Sequence, residues 1–490
     1  MTINTLPDLV LLEIFDCYLF RAQRFAESYS QEVRAWHTLV HVCRNWRAIT
    51  FASPRRLNLR LFCTNETRVR ETLAVWPRLP IIVWQPINRM WGLNNIIEAL
   101  EYNNRVCGIT LHVPLASPQS ENVLAAMQQP FPALTSLNIQ FQDGETDAIV
   151  PDSFLGGSAQ SLRSLDFYRV PFPGLPRLLL SATDLVHLVL WKIPHSGYFS
   201  SEAMVRCLSA LTKLEDLWLE FETSPSRLHQ NNRRPTPPVC IVLPALTSFT
   251  FTGASEYLED LVGQIDAPLL DRLEVTFDNL TFNTPQFVQF IRRRPNVKAP
   301  DEAFVLFSFE SVRVSLYRAF PGRLSLGVLC SDANSQLSSL AKVCSSSFPS
   351  GFIRTVKHLY VGEAQHAEPD WHDGIENRQW REALDPFIAV ENLTLSRGIV
   401  LRILPALQES VGERVIEVIP SLQRLVLEGR ASRRVLEAIW NFITAQRLAN
   451  HPIVLSRPNI EQDEGLNIDS DDSSMVDDAS VPDDSSVGDD

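Results

Sequence analysis

An apolar residue at i, i+3 and i+5, repeated along most of the chain, limits what it can fold into more than any other feature. The copies are Val106, Ile109, Leu111; Leu134, Leu137, Ile139; Leu162, Leu165, Phe167; Leu185, Leu188, Leu190; Leu214, Leu217, Leu219; Leu246, Phe249, Phe251; and Leu270, Leu273, Val275. The pattern resumes at Val356, Leu359, Val361, at Val390, Leu393, Leu395 and at Leu422, Leu425, Leu427, and shorter alternations at Leu57, Leu59, Leu61 and at Ile81, Val83 begin the series. From 106 to 270 the copies lie 28, 28, 23, 29, 32 and 24 residues apart, a period that belongs to repeat architectures. Side chains alternate across a strand, so the i+3 and i+5 residues share one inward face. Helix-compatible stretches such as 66–75, 93–102, 119–127 and 202–211 return the chain to the next parallel strand. One such unit cannot bury its own apolar face, whereas a stack can.

The pattern resembles that of a leucine-rich repeat, which implies an α/β solenoid, a horseshoe of irregular repeats, over residues 56–457. It departs from that family at i+8, where an Asn or Cys bonds the turn backbone. Here those positions hold Gln142, Val170, Ile193, Glu222, Ala254 and Asp278, so less regular turns are expected. An unrelated α/β domain with coincidental leucine spacing is the alternative. Residues 276–355 fit poorly, with Phe309, Val312 and Val314 as a weak copy, and stay unassigned. Loops are expected at 142–160, 222–240, 295–302 and 362–375.

Ahead of the repeats, LPDLVLLEIF at 6–15 and WHTLVHVCRNWRAI at 36–49 carry more apolar surface than two short helices can hide from each other. Pro7 and Asp8 suit a helix start. Trp36, Leu39, Val40, Cys43 and Trp46 form one helical stripe. About 55 residues is below the size at which one core is comfortably stable, so the missing burial must come from the rest of the chain or from a partner.

These residues resemble an F-box: Leu6, Pro7, Leu11, Leu12, Ile14 and Phe15, then Val42, Cys43, Arg44 and Trp46. The continuation at 53–61 and 75–84 is similar to a fungal branch of that family. The resemblance implies an F-box at 1–55 that docks on a Skp-family adaptor of a cullin ubiquitin ligase, with Leu6, Pro7, Leu11, Ile14, Phe15, Val42, Cys43 and Trp46 building or presenting the adaptor surface. Two departures bear on contact geometry: Leu9 stands where the family commonly has glutamate, and residues 19–35 form a long spacer.

Chemistry is sparse. No phosphate-cradling, dinucleotide-binding, nucleophile-elbow or His-Glu-x-x-His motif occurs, so no catalytic residue, cofactor or metal site is assigned. The densest polar cluster, His366, Glu368, Asp370, His372 and Asp373, carries Pro369 and Gly374 and reads as a solvated loop. Arg292, Arg293 and Arg294 follow a helix and read as cations complementing its C-terminal end. The 8 cysteines are scattered without metal or disulfide spacing, so reduced, buried thiols and a cytoplasmic or nuclear location are expected. No apolar run is long enough for a membrane span and no signal peptide is evident. Of the net charge of -13, residues 461–490 supply 12 acidic residues and no Lys or Arg, which leaves 45 acids against 44 bases elsewhere. That balance argues against a strong basic face for nucleic acid.

Two regions remain as candidates. Residues i+4 and i+6 of the strands point away from the core into what a horseshoe would make its concave surface: Asn138, Gln140, Asp166, Tyr168, Val189, Trp191, Trp218, Glu220, Thr250, Glu274, Tyr360 and Glu428. Tyr168, Trp191, Trp218 and Tyr360 are the expected contacts to a client protein, because large aromatics dominate binding hot spots; burial under loops is the alternative. The acidic tail, 458–490, is disordered by composition, and Ser474, Ser480 and Ser486, each with Asp three residues on, suit acid-directed kinases. The expected function is a non-catalytic substrate receptor of a ubiquitin ligase. A scaffold without ubiquitination and an enzyme with an unrecognised site at 362–375 are the alternatives.

Overall fold

The computed structural model describes residues 6–25, 38–52, 59–85, 92–113, 118–141, 149–222, 240–278, 284–294, 298–317, 322–364, 371, 377–408, 410–411, 414–415, 418–429, 432–448 and 451–456, with the backbone alone at 19–25, 118–120, 410–411 and 414–415. Every complete i, i+3, i+5 triplet places its i+3 and i+5 residues on a strand with both side chains buried. The strands are β1 (Arg60–Phe62), β2 (Ile81–Trp84), β3 (Val106–Val113), β4 (Ser136–Phe141), β5 (Ser164–Tyr168), β6 (His187–Ile193), β7 (Asp216–Phe221), β8 (Ile241–Val242), β9 (Ser248–Gly253), β10 (Ile265–Asp266) and β11 (Arg272–Phe277). Then come β12 (Glu302–Phe307), β13 (Ser311–Tyr317), β14 (Arg323–Leu329), β15 (His358–Glu363), β16 (Asn392–Leu395), β17 (Ser410–Val411), β18 (Arg414–Val415), β19 (Arg424–Leu427) and β20 (Val454–Ser456). Sixteen of them form one sheet, and β8 with β10 and β17 with β18 make two small pairs. At a strand spacing of ~4.8 Å the large sheet extends about 70 Å.

Register explains why the leucine spacing is so strict. Leu137, Leu165, Leu188, Leu217, Phe249 and Leu273 are direct neighbours across six parallel strands. A slip of one residue would turn every one of them to the opposite face. At the strand starts paired amides reach back to one carbonyl of the preceding unit: Arg163 and Ser164 to Thr135, Val186 and His187 to Arg163, Glu215 and Asp216 to Val186. At the strand ends Glu222 donates to Ile193 and Asp278 to Gly253. Backbone bonds therefore tie successive turns together at both ends of the strands.

One face of the sheet is covered by helices whose buried residues belong to the same core as the strands. In chain order these are α4 (Val69–Val75), α5 (Leu93–Leu100), α6 (Pro118–Ala126), α7 (Leu175–Leu179), α8 (Ser201–Leu208), α9 (Ser255–Val262), α10 (Pro285–Arg292), α11 (Ala333–Ser346), α12 (Asn377–Leu384), α13 (Arg397–Gln408) and α14 (Arg433–Leu448), preceded at the N-terminus by α1 (Asp8–Phe25), α2 (residues 38–42) and α3 (Arg44–Ala52), most of whose buried residues form a cluster of their own. Local sequence sets their starts. Ser200 caps α8 by accepting from the Ala203 amide at 3.2 Å, and Asp332 caps α11 through the Ser335 amide at 2.8 Å.

The described residues of the unassigned stretch 276–355 supply three strands of the sheet, β12, β13 and β14, together with α10 and α11. Its strands lie in the order β11-β14-β13-β12-β15, with β13 antiparallel to both neighbours and β14 and β12 parallel to β11 and β15. The sheet is thus mostly, not wholly, parallel. A meander lacks the crossover that gives the i, i+3, i+5 signature, which is why the pattern failed there. Of the weak copy, Val312 and Val314 are buried in β13, while Phe309 is exposed in the turn before it. The architecture is a solenoid-like, mixed α/β stack around one large, mostly parallel sheet.

Candidate functional site

At the N-terminus α1 lies against α2 and α3, and the Pro7 carbonyl accepts from the amides of Val10 and Leu11 at 3.0 and 3.1 Å to open α1. Leu11, Phe15, Leu39, Trp46 and Ile49 make a small core of their own, with the Phe15 and Trp46 rings 4.7 Å apart; Leu6, Leu12 and Cys43 pack against it half-buried. Val40 instead joins the main core and anchors the helices to the repeats. On the outside Val10, Ile14 and Tyr18, at i, i+4 and i+8, form a ridge beside Leu9, which is 76% exposed, with Val42 at 53%.

This divides the eight residues expected to form an adaptor surface. Pro7, Ile14 and Val42 are exposed, whereas Leu11, Phe15 and Trp46 are buried and cannot touch a partner directly. The physical reason is the i, i+4 stripe of Leu11 and Phe15, which packs with Leu39, Trp46 and Ile49 between the helices. Leu9, Val10 and Tyr18 were missed as surface residues, though the second stripe at 10, 14 and 18 was legible in the sequence. Trp36 lies outside the described residues.

The face of the sheet opposite the buried leucine column carries the second set. Trp191 on β6 and Trp218 on β7 stack with centroids 4.3 Å apart and planes at 19°. Tyr168 is the direct neighbour of Trp191, and the Arg169 guanidinium and Lys192 ammonium sit 5.7 and 5.8 Å from its ring centre. Arg169 and Lys192 adopt left-handed φ values of 56° and 48°, and the β6–β7 register shifts between Leu190 and Ile193. Lys192 lies inside this irregular stretch of β6, and Arg169 directly follows the last residue of β5. Arg169 also pairs with Glu222 at 3.1 Å. Burial pushes the Asp166 carboxyl up to about 6, and Asn138 Nδ2 donates to it at 2.7 Å. The indole N–H groups of Trp191 and Trp218 have no hydrogen-bond partner among the described residues.

Tyr360 belongs elsewhere. Five strands separate β7 from β15, about 29 Å at the usual spacing. There Tyr360 packs on Phe304, with ring centres 5.4 Å apart, and Phe304 on Tyr317 at 4.8 Å. Its hydroxyl donates to Glu428, and burial with that carboxylate raises its pKa. The four aromatics expected as one client surface are therefore two clusters, each half-buried by its neighbours. Phe304 and Tyr317 were missed because their strands had no repeat signature.

The other candidates resolve structurally. Arg292 bonds Ser350 at 2.6 Å, and Arg294 is buried over the Phe290 ring, donates to the Ala267 carbonyl and has its pKa lowered to about 10 by burial. Arg294 Nε also donates to the Phe290 carbonyl at 3.4 Å in the last turn of α10, so it caps that helix end, as its position suggested, and in addition cross-links repeats. Cys63, Cys207 and Cys344 are buried and burial raises all three thiols, the first to about 12, but Cys17 and Cys240 are exposed, contrary to the expectation of buried thiols throughout. His366, Glu368, Asp370, His372 and Asp373, and Ser474, Ser480 and Ser486 lie outside the described residues. Among the described residues no cluster of His, Cys, Asp and Glu could hold a metal ion, and no helix is long and apolar enough to cross a membrane.

No family model matches the chain, and no curated protein matches it. Among solved structures it is similar to the leucine-rich repeat-containing protein LegL7 from Legionella pneumophila, at 13% identity over 81% of this chain and 99% of that one, with a TM-score of 0.27.

Proposed function

We propose that this chain is a non-catalytic receptor whose N-terminal helices dock on a Skp-family adaptor of a cullin ubiquitin ligase while the open sheet face holds a client protein. The observation that carries the reading is the apolar ridge of Leu9, Val10, Ile14, Tyr18 and Val42 on helices whose opposite sides already fill a core of their own. Contiguous apolar surface of this kind is costly in water and marks protein contact sites. The stacked Trp191–Trp218 pair beside Tyr168 supports the client-binding half, since rigid aromatics give large contact area at low entropic cost.

Purified adaptor is expected to bind the full chain, and Pro7→Ala with Ile14→Asp to abolish that binding while the far-UV spectrum of the repeats is kept. Unchanged capture by the double variant removes the adaptor assignment. A chain that binds adaptor but recovers no cullin acts as a scaffold, and a client that accumulates when the chain is deleted marks a ligase receptor.

A further inference from the structure

Between its two aromatic clusters the sheet face that carries Trp218 and Tyr360 changes character. Side chains alternate along β11, β14 and β13, and register sets those on this face in three rows: Arg272, Arg323 and Tyr317; Glu274, Ser325 and Ser315; Thr276, Gly327 and Arg313. The middle of this block is low. Ser315 and Ser325 are 2% and 1% exposed, and Gly327, directly opposite Arg313, contributes no side chain. Three arginines border that floor with one carboxylate among them. Glu274 pairs with Arg272 at 3.0 Å and with Arg323 at 3.5 Å, while Arg313 has no ion-pair partner among the described residues. Donors are also left over. The Ser315 and Ser325 hydroxyls share one bond at 2.9 Å, and Arg323 Nη2 donates to Ser315 Oγ at 3.1 Å. Two hydroxyls with one shared bond leave one O–H hydrogen without an acceptor among the described residues, and Arg323 Nε is buried without one too. Unmet donors at a buried floor call for an acceptor from outside.

We infer that this block receives a carboxylate of an acidic client segment, and that an apolar side chain three residues further along that segment lies on the cluster of Phe304, Tyr317 and Tyr360. The inference rests on the client-binding half of the proposed function and names the chemistry that half selects. Charge favours a carboxylate, because three guanidiniums face one acid here in a chain whose 45 acids and 44 bases otherwise balance outside 461–490. The aromatic neighbour favours a peptide over a free anion. Tyr317 belongs both to the arginine block and to the ring cluster, where it packs on Phe304 at 4.8 Å. Ser325 on β14 and Phe304 on β12 are two strands apart, ~10 Å, the reach of about three extended residues. Direction is set as well. The carboxylates beside the rings, Glu302 on β12 and Glu428 at the Tyr360 hydroxyl, lie beyond Tyr317 as seen from Arg323, so the acid of the segment belongs on the β14 side.

The test is fluorescence anisotropy on the full chain with a labelled Gly/Ser peptide carrying Glu-Gly-Gly-Phe at its centre. This peptide is expected to bind saturably, and replacing its Glu by Gln or its Phe by Ser to weaken it about tenfold each. Arg313→Glu, at a side chain with no ion pair to lose, is expected to weaken the Glu peptide by at least as much and to leave the Gln peptide unchanged, with far-UV circular dichroism checking the fold. Absent or equal binding of the Glu and Gln peptides overturns the inference, as does a loss on Arg313→Glu that is the same for both. Displacement of the peptide by inorganic phosphate or a single-stranded oligonucleotide, at concentrations below that of the peptide, assigns the arginines to another anion and overturns it. Binding seen only after residues 458–490 are removed assigns them to the chain's own acidic segment and also overturns it. The two readings fail separately: peptide binding lost while adaptor is still captured strikes this inference alone, and peptide binding kept while adaptor never binds strikes the ligase reading alone.

Discussion

Ile14 and Phe15 are adjacent in sequence and opposite in role, so a pair of substitutions separates docking from folding. Ile14 is 39% exposed and Phe15 2% exposed against Trp46. Ile14→Asp sits on a solvated helix face and is expected to change stability by no more than about 0.5 kcal/mol. In the complex the same carboxylate would replace a side chain worth roughly 1 kcal/mol of residual burial and would itself be desolvated at a cost of a few kcal/mol. A total near 3 kcal/mol is a loss of at least about 100-fold in adaptor affinity. Phe15→Ala removes the centre of a five-residue cluster and costs about 3–5 kcal/mol. Because that cluster is separate from the main core, the loss falls on the helices and leaves the repeats folded. Calorimetric titration with purified adaptor reads the first effect, and protease cleavage within 6–52 against the denaturation midpoint of the repeats reads the second. Tight binding by Ile14→Asp refutes the docking assignment. Global unfolding of Phe15→Ala refutes the independence of the small core.

Three further outcomes follow from the geometry. Leu217→Ala, in the buried column between Leu188 and Phe249, is expected to cost about 2–5 kcal/mol in denaturant unfolding; Trp218→Ala, one residue away on the open face, costs less but removes the stacked-indole signal in near-UV circular dichroism. The carboxyl of Asp166 is raised to about 6 in the folded chain from an ordinary 3.8, so the native state binds more protons than the unfolded one between those values and stability falls as pH rises through that window. Asp166→Asn is therefore expected to stabilise the chain by roughly 1–2 kcal/mol at pH 7, allowing for solvent screening, and to give no gain below about pH 4, read from denaturation midpoints at both values. Arg294→Met keeps the stem over the Phe290 ring and loses the bond to the Ala267 carbonyl, a cost of about 1–3 kcal/mol that equilibrium unfolding in denaturant can measure.

The repeats were legible because burial on one face and helical return leave a fixed trace: the Leu137-to-Leu273 column is the i+3 position of six copies, in register. The meander at β12–β14 was not, since a hairpin needs neither a crossover nor the leucine that begins each turn. At the N-terminus apolar content was visible, but which of Leu11, Ile14 and Phe15 faced inward depended on where α2 and α3 lay. On the open face sequence placed Tyr168, Trp191 and Trp218 together by adjacent repeats. It set Tyr360 with them only because residues between 276 and 355 gave no strand count from which to measure separation.

The reversed order β11-β14-β13-β12-β15 has a consequence for synthesis on the ribosome. Up to β11 each new unit can add to a finished neighbour as soon as it emerges, in the manner of a growing one-dimensional array. The place beside β11 then belongs to β14, the last of the next three strands, so elongation of the array halts until Leu329 has left the tunnel. During that interval the β11 flank is a bare template, and a chaperone that prevents nascent chains from pairing there would find its work concentrated at this one seam.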